Sequence, residues 1–282
     1  MRVAYLGPPG TFNDDALRAA AAGAELEAIA SATVRDAIVA VETGDADRAL
    51  VPYENSIEGS VRTTLDTLVL EAESVTIVGE HDHPVRHSLI SRTRLPLQEI
   101  RVVLSHPQAL AQCARFIREQ LWEVEERAAP STADAVRQVV DSDEPWAAIA
   151  AASAASMYGG EVLAAGVEDD PGNITRFVWI APRGTRSEGD GEWRTTLVFS
   201  ELGADRPGAL VEALLEFSDR GVNLTRIESR PLRRELGRYM FFLDVEGTDR
   251  DSTVAEAIEG LRSKAESVRL LGSYPVRAAG VP

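Results

Sequence analysis

Short apolar runs alternate with amphipathic segments through the first two thirds of the chain, as strands alternate with helices in α/β proteins. Runs such as residues 3–6, 49–51 and 102–104 are bounded by polar turn residues, which is typical of buried strands. The spacing of apolar residues predicts helices between them, for example over residues 61–70 and 108–121. This βα repetition predicts helices packed on a mostly parallel sheet.

The alternation of predicted strands and helices is interrupted near residue 80, where extended segments and prolines take the place of helices. We therefore predict two lobes, one formed by residues 1–79 with 161–182 and the other by residues 80–160. A ligand is expected in the cleft between the lobes. The first helix is expected to be capped near Asn13.

Residues 183–193 are polar and rich in glycine, which predicts a linker. Beyond it, residues 194–277 show a strand, a helix, two strands, a helix and a strand. This βαββαβ order predicts a ferredoxin-like unit. In its first helix Leu210, Leu214 and Phe217 recur on one apolar face.

Four polar loops follow predicted strands, and they contain small hydroxyl and amide side chains. The first three loops run into predicted helices, whose free N–H groups and dipole favour a negatively charged ligand. Ligands of open α/β sheets lie beyond the carboxyl ends of the strands. The sequence therefore predicts a site for a small polar anion. The four loops are residues 7–12, 52–59, 105–110 and 172–177.

The charge is strongly acidic, with 45 Asp and Glu against 29 Lys and Arg and a net charge of −16. Such a chain repels nucleic-acid backbones, so we expect no nucleic-acid partner. Lys264 is the only lysine, which excludes a P-loop and disfavours Schiff-base chemistry. The acidic residues are scattered, which favours a halophilic cell with high internal salt over avoidance of acidic partners.

No apolar run approaches the roughly 20 residues of a membrane span, so we expect no membrane partner. The N-terminus enters a predicted strand at once, and we therefore expect no signal peptide. The single cysteine, Cys113, excludes an internal disulfide and suits a reducing compartment. The expected location is the cytoplasm.

At the polar loops the sequence closely resembles the prephenate dehydratase family, and the resemblance covers nearly the whole chain. The C-terminal unit resembles an ACT regulatory domain. One departure is Asn13, where the family usually has serine; asparagine caps a helix equally well. The motifs are Gly-Pro-x-Gly-Thr-Phe at 7–12, Glu-Asn-Ser-x-Glu-Gly at 54–59, Ser-His-Pro-Gln-Ala-Leu-Ala-Gln-Cys at 105–113, Thr-Arg-Phe at 175–177, Gly-Ala-Leu at 208–210 and Glu-Ser-Arg-Pro at 228–231.

The resemblance implies a two-lobed, periplasmic-binding-protein-like catalytic domain that converts prephenate to phenylpyruvate without metal or organic cofactor. It implies that the Thr175 hydroxyl assists the departing hydroxyl of the substrate, by proton transfer or by polarisation alone. Arg176 or backbone N–H groups would meet the substrate carboxylates, and Phe177 would pack near the ring. The other implied substrate contacts are Thr11, Asn55, Ser56 and Gln108.

For the ACT domain, the resemblance implies a phenylalanine site between subunits, so that a homodimer or a dimer of dimers is expected. Feedback inhibition by phenylalanine would follow. The implied effector-binding residues are Gly208, Ala209, Leu210, Asn223, Leu224, Ser229 and Arg230.

Two further groups of residues invite other chemistry. His81-x-His83, with His87 nearby, resembles a metal-ligand spacing, but it lacks a cysteine partner and lies where the lobes should join. An exposed or hinge-forming role is the preferred interpretation. His106 and Cys113 are about 10 Å apart along a helix, too far for a nucleophilic dyad.

Two alternative functions stay open from the sequence. Arogenate dehydratase acts on a substrate in which an amino group replaces the keto group. A small-anion-sensing module would bind in the same cleft and perform no chemistry. The Thr-Arg-Phe motif at 175–177 favours an enzyme.

Overall fold

The computed structural model of the chain describes residues 1–202, 206–233 and 236–276. Its strands form three sheets. The strands are β1 (Arg2–Leu6), β2 (Glu27–Ser31), β3 (Arg48–Asn55), β4 (Gly59–Ser60), β5 (Val75–Pro84), β6 (Ser88–Ser91), β7 (Val102–Ser105), β8 (Glu125–Ala128), β9 (Trp146–Ala150), β10 (Glu161–Ala165), β11 (Ile174–Pro182), β12 (Trp193–Ser200), β13 (Leu224–Pro231), β14 (Tyr239–Glu246) and β15 (Ser267–Pro275). The helices are α1 (Phe12–Ala20), α2 (Val34–Glu42), α3 (Arg62–Leu70), α4 (Pro107–Gln112), α5 (Ala114–Gln120), α6 (Thr132–Val140), α7 (Ala152–Tyr158), α8 (Ala209–Ser218) and α9 (Ser252–Arg262). No helix in these described ranges is long and apolar enough to cross a lipid bilayer.

The first lobe contains a sheet in the order β2, β1, β3, β11 and β5, with β4 added to β3. β1 runs parallel to β2 and β3, whereas β11 runs antiparallel to β3 and β5. The second lobe has the order β10, β6, β9, β7 and β8, again with parallel and antiparallel pairs. The α/β prediction is confirmed, but the expectation of a mostly parallel sheet is wrong. Strands that re-enter a lobe without a crossover helix run antiparallel to their neighbours.

The chain crosses between the lobes at residues 85–87 and 166–173, which differs from the predicted crossings near residues 80 and 160. β5 stays paired with β11 as far as Pro84, so it belongs to the first lobe throughout. β10 pairs with β6, since Glu161 lies opposite Ser91, and it therefore belongs to the second lobe. An extended apolar run does not reveal which sheet it will join, because the partner strand decides that.

The predicted helix over residues 108–121 is divided into α4 and α5 at Cys113. Two contacts from Asp169 explain the break. The Asp169 N–H donates to the Gln112 carbonyl oxygen at 2.7 Å, and the Asp169 carboxylate accepts from the Arg115 N–H at 3.1 Å. These contacts satisfy backbone groups that a continuous helix would pair internally. The first helix likewise starts two residues earlier than predicted, with Thr11 as its N-cap in place of Asn13.

The C-terminal unit has the predicted βαββαβ order, and its sheet runs β13, β14, β12, β15. One face of this sheet packs against α8 and α9 around Phe217 and Leu243. The other face packs against the first lobe, where Phe242 and Tyr274 share a buried cluster with Val178. The C-terminal unit is therefore docked on the first lobe through an apolar core.

The linker lies along the first lobe. The buried hydroxyl of Ser187 donates to the Val78 carbonyl oxygen at 2.9 Å. Close by, β15 approaches β5 so closely that a Cβ at Gly272 would lie 2.1 Å from the Ile77 carbonyl oxygen. Only glycine allows that approach, which fixes how the two domains meet.

Candidate active site

A cleft of about 560 Å³ lies between the two lobes, and residues from all four polar loops line it. Phe12, Val34 and Thr132, the first residues of α1, α2 and α6, are among its lining residues. Three helices therefore begin at the cleft. Their first-turn N–H groups and positive dipole ends create a favourable place for an anion.

The charged side chains around the cleft are few. Of the described residues that line it, none is lysine or arginine, and Asp134 is the one carboxylate. Asp134 is already engaged, because Ser131 donates to its carboxylate at 2.8 Å and Arg137 does so at 3.2 Å. An anionic ligand would thus be held by N–H groups, amides and hydroxyls.

Asn55, at the end of β3, has a side-chain amide with a fixed orientation. Its Oδ1 accepts hydrogen bonds from the N–H groups of Ile57 and Glu58, both at 3.0 Å. The Nδ2 group is therefore directed to β11, where it donates to Thr175 Oγ1 at 2.9 Å and to Asn173 Oδ1 at 2.7 Å. Thr175 accepts in this pair, and its own proton remains available for another partner.

The hydrogen bonds continue to the second lobe. Asn173 Nδ2 donates to Gln112 Oε1 at 3.2 Å, and His87 Nε2 lies 3.0 Å from the same oxygen. An amide oxygen only accepts, so His87 carries its proton on Nε2. Burial lowers the pKa of His87, which keeps the ring neutral at neutral pH. A chain of amides thus links the two lobes through the segment that crosses between them.

Sequence reasoning missed two members of this chain. His87 was expected to be exposed or part of a hinge. It does lie in the crossing segment 85–87, but it is 1% exposed and lines the cleft, which was not expected. Gln112 lies four residues after Gln108, so both occupy one helix face, and this spacing could have identified it. His81 and His83 lie in β5, with ring centroids 5.9 Å apart, and neither lines the cleft.

The structure brings most of the predicted substrate contacts together. Ser56 and Arg176 are the exceptions. Ser56 is exposed, and its Oγ accepts from the Ile174 N–H at 3.0 Å. Ser56 therefore ties its loop to the start of β11 and does not face the cleft. The predicted residues that line the cleft are Thr11, Asn55, Gln108, Thr175 and Phe177.

Cys113 does not serve as a nucleophile. Its side chain is fully buried, and burial raises the pKa of its thiol well above the ordinary range. His106 instead caps α4, where its Nδ1 accepts from the Gln108 N–H at 3.3 Å. The two side chains therefore have separate structural roles.

The family model for prephenate dehydratase matches residues 3–185, and the model for the ACT domain matches residues 196–263. The chain belongs to the prephenate dehydratase family. A relative from Mycolicibacterium vanbaalenii, named prephenate dehydratase, is 42% identical over 287 aligned positions and covers 97% of this chain and 90% of that protein.

Two solved structures are also similar. The prephenate dehydratase of Arthrobacter aurescens in complex with L-Phe has a TM-score of 0.90 and 38% identity, covering 100% of this chain and 92% of that one. A protein described as GqqA, a novel type of quorum quenching acylase, has a TM-score of 0.87 and 33% identity, covering 98% of both chains. The fold and domain order of this family thus agree with the resemblance found in the motifs.

The structure corrects the assignment of Arg176 as a ligand for the substrate carboxylates. Successive side chains of a strand point to opposite faces, so Arg176 points away from the cleft that Thr175 and Phe177 line. Its Nη2 donates to Asp244 of the ACT domain and to Glu54 of β3, both at 2.7 Å. The side chain is only 11% exposed, so Arg176 serves the domain interface.

Arg176 belongs to a buried cluster of charges. Arg194 of the ACT domain pairs with Glu80 of β5, which also lies 3.5 Å from Arg176. The guanidinium carbons of Arg176 and Arg226 lie 5.0 and 4.9 Å from the ring centroid of Tyr53. Burial alone would lower the pKa of Arg176, but Asp244 raises it above its ordinary value.

The predicted effector-binding residues are divided between two faces of the ACT sheet. Gly208, Ala209 and Leu210 line a cavity of about 310 Å³ at the start of α8. Arg230 lies elsewhere, because it donates to both carboxylate oxygens of Asp66 in the first lobe, at 3.0 and 2.7 Å. Its assignment to the effector site is therefore corrected to a docking contact.

The remaining predicted effector residues also lie outside that cavity. Asn223 donates to Glu246 at 2.9 Å, and Leu224 packs in the core of the ACT domain. Ser229 is exposed on β13, the edge strand of the ACT sheet. Strand spacing alone could not reveal these positions, because they depend on pairing and packing within the folded ACT domain.

We expect Arg176→Met to lower the free energy of unfolding by about 3–5 kcal/mol, since it leaves the buried Asp244 carboxylate without its ion-pair partner and removes one of the two arginines beside Glu80. Denaturant titration followed by fluorescence measures this change. The double variant Arg176→Met with Asp244→Asn should regain part of the loss, because one unpaired charge is removed.

Arg92→Met is the matched control, since Arg92 pairs with the exposed Asp143. This surface pair should contribute less than about 1 kcal/mol. Equal losses in Arg176→Met and Arg92→Met would contradict the structural role of the buried cluster.

Proposed function

We propose that this chain catalyses the decarboxylating dehydration of prephenate to phenylpyruvate in the cytoplasm, with feedback inhibition by phenylalanine at the ACT domain. The observation that carries the proposal is the Thr175 hydroxyl, which lines an anion-favouring cleft and accepts a hydrogen bond from the fixed amide of Asn55. Because the Thr175 oxygen accepts from Asn55, the Thr175 proton is available to form a hydrogen bond with a substrate.

The proposed role of Thr175 is to donate a hydrogen bond to the departing hydroxyl of prephenate. The substrate ring becomes aromatic as carbon dioxide and hydroxide leave, and the hydroxide takes up a proton to form water. A threonine hydroxyl is a very weak acid, so stabilising the developing negative charge on the leaving oxygen is the role it can fill. The Asn55 amide donates to the Thr175 oxygen, so the Thr175 proton remains available for a hydrogen bond to the leaving oxygen of the substrate.

The two carboxylates of prephenate would lie at the helix N-termini that begin at the cleft. Phe12 and Phe177 provide an apolar wall for the ring. Thr11 donates to the Pro8 carbonyl oxygen at 2.9 Å, so its oxygen can accept but its proton is engaged. The absence of lysine and arginine among the described lining residues favours a ligand held by shape and N–H groups.

The direct test is incubation of the purified chain with prephenate or with arogenate, monitored by the absorbance of the product. We expect phenylpyruvate from prephenate at a higher kcat/KM than phenylalanine from arogenate. Binding of prephenate without turnover would instead indicate a sensing module.

We expect Thr175→Ala to lower kcat by about 10²–10³, the usual effect of losing one hydrogen-bond donor to a developing oxyanion. Thr175→Ser keeps the hydroxyl and should retain most of the activity. Thr43→Ala makes the same chemical change at the C-terminal end of α2 and should leave kcat unaltered. A Thr175→Ala variant with near-normal kcat would rule out the proposed role.

We propose that phenylalanine binds in the cavity at the start of α8, with its carboxylate on the free N–H groups of the first turn. Val211, which lines this cavity, Leu215 of the same helix and Ile227 of β13 are apolar side chains exposed at 59%, 44% and 48%. A second copy of the chain would cover them, which supports a homodimer or a dimer of dimers.

Leu210→Glu should weaken phenylalanine inhibition at least tenfold, because it adds a carboxylate where the effector carboxylate would bind. The rate without phenylalanine should be unaltered, since the cleft lies in the other domain. Thr253→Glu adds the same charge at the exposed start of α9 and should leave inhibition intact. Equal inhibition of the two variants would exclude this cavity.

The net charge of −16 also supports the proposal that the protein works at high internal salt. We expect the unfolding temperature to rise between dilute buffer and 1 M KCl, where the Debye length falls to about 3 Å. Sorbitol at matched osmolarity should give a smaller rise, because it does not screen charge. An unfolding temperature that does not respond to KCl would argue against a halophilic origin.

A further inference from the structure

A cavity of about 800 Å³ lies where the linker, β5 of the first lobe and β15 of the ACT domain meet, and we call it the junction cavity. Its described lining contains one carboxylate, Asp249, and a group of arginines. The arginines are Arg183, Arg186, Arg250, Arg262 and Arg269.

This accumulation of positive charge contrasts with the chain as a whole, which has 45 acidic and 29 basic residues. Arg262 has a carboxylate partner, Glu259, at 3.6 Å. Across the described ranges the other four arginines of the junction cavity form no ion pair. Because acidic residues are abundant in the chain, the lack of ion-pair partners for these four arginines is specific to this cavity.

Arg269 is the most constrained of these arginines. Its Nη2 donates to the Ala72 carbonyl oxygen at 2.8 Å, while its Nε is buried without a hydrogen-bond partner. Burial lowers its pKa and the nearby charge of Arg183 lowers it further, while Glu73 and Glu42 act in the opposite direction. Positive charges gathered in this way repel one another, and a bound anion would relieve that repulsion.

Arg250 is held by a different contact. Its guanidinium carbon lies 5.7 Å from the ring centroid of Trp193, the first residue of β12. Stacking of this kind positions a guanidinium and leaves its N–H edges available. The linker and the ACT domain thus both contribute arginines to the lining of one cavity.

We propose that the junction cavity binds a small multivalent anion, an organic phosphate or a polycarboxylate. A guanidinium donates two parallel hydrogen bonds to a phosphate or a carboxylate, and several guanidinium groups around one cavity select ligands with several negative charges. The cavity walls come from both domains and the linker, so the bound anion would strengthen the docking of the ACT domain. This site is separate from the cleft and from the cavity at α8.

The test is calorimetric titration of the full-length chain with pyrophosphate and with citrate, at a constant ionic strength near 0.15 M. We expect saturable binding of at least one probe with one site per chain. Arg183→Gln combined with Arg186→Gln should weaken that binding at least tenfold. Arg94→Gln combined with Arg118→Gln removes the same charge from the exposed surface of the second lobe and should leave binding unaltered.

Binding of pyrophosphate alone supports a phosphate ligand, binding of citrate alone supports a polycarboxylate, and binding of both supports selection by charge. Arg250→Gln, in the ACT domain, gives a second test if the double variant does not fold, and it should also weaken binding. The proposal is overturned if neither probe binds saturably, or if the two double variants lose affinity equally.

Discussion

The buried charges around Arg176 hold the ACT domain against β11, the strand that also carries Thr175 of the cleft. β11 presents Thr175 and Phe177 to the cleft, while the intervening Arg176 points to the ACT domain and binds Asp244. A charged side chain that is 11% exposed must remain paired, because an unpaired charge in such a place is strongly destabilising. Any shift of β14 relative to β11 therefore displaces Arg176, and with it the adjacent Thr175.

The position of the Thr175 hydroxyl depends on a second constraint, the fixed orientation of the Asn55 amide. Two backbone N–H groups hold the Asn55 oxygen, so the amide nitrogen can only face Asn173 and Thr175. Because Asn173 in turn binds Gln112 of the second lobe, closing or opening the cleft alters the same hydrogen bonds that orient the hydroxyl. Lobe position and hydroxyl orientation are thus physically connected.

Local features of the fold could be predicted from the sequence because a few neighbouring residues determine them. The polar loops after strands and the βαββαβ order are of this kind. The role of Arg176 could not be predicted, since its partner Asp244 is 68 residues away and the pairing exists only after docking. The same applies to His87, whose burial results from a lobe crossing placed several residues later than expected.

Because the linker is docked on the first lobe, a regulatory signal can pass between the ACT domain and the first lobe through packed contacts. A free polar segment would transmit little between domains, but Ser187 is buried on β5 and Gly272 of β15 lies against Ile77. The ACT sheet consequently contacts the first lobe through several of its strands, for example at the pair of Arg230 on β13 with Asp66, at the charged cluster on β14 and at the close approach on β15. A rigid shift of the ACT domain must alter these contacts together. An effector that favours one ACT arrangement therefore needs no flexible relay, because the strand that carries Thr175 is already part of the interface.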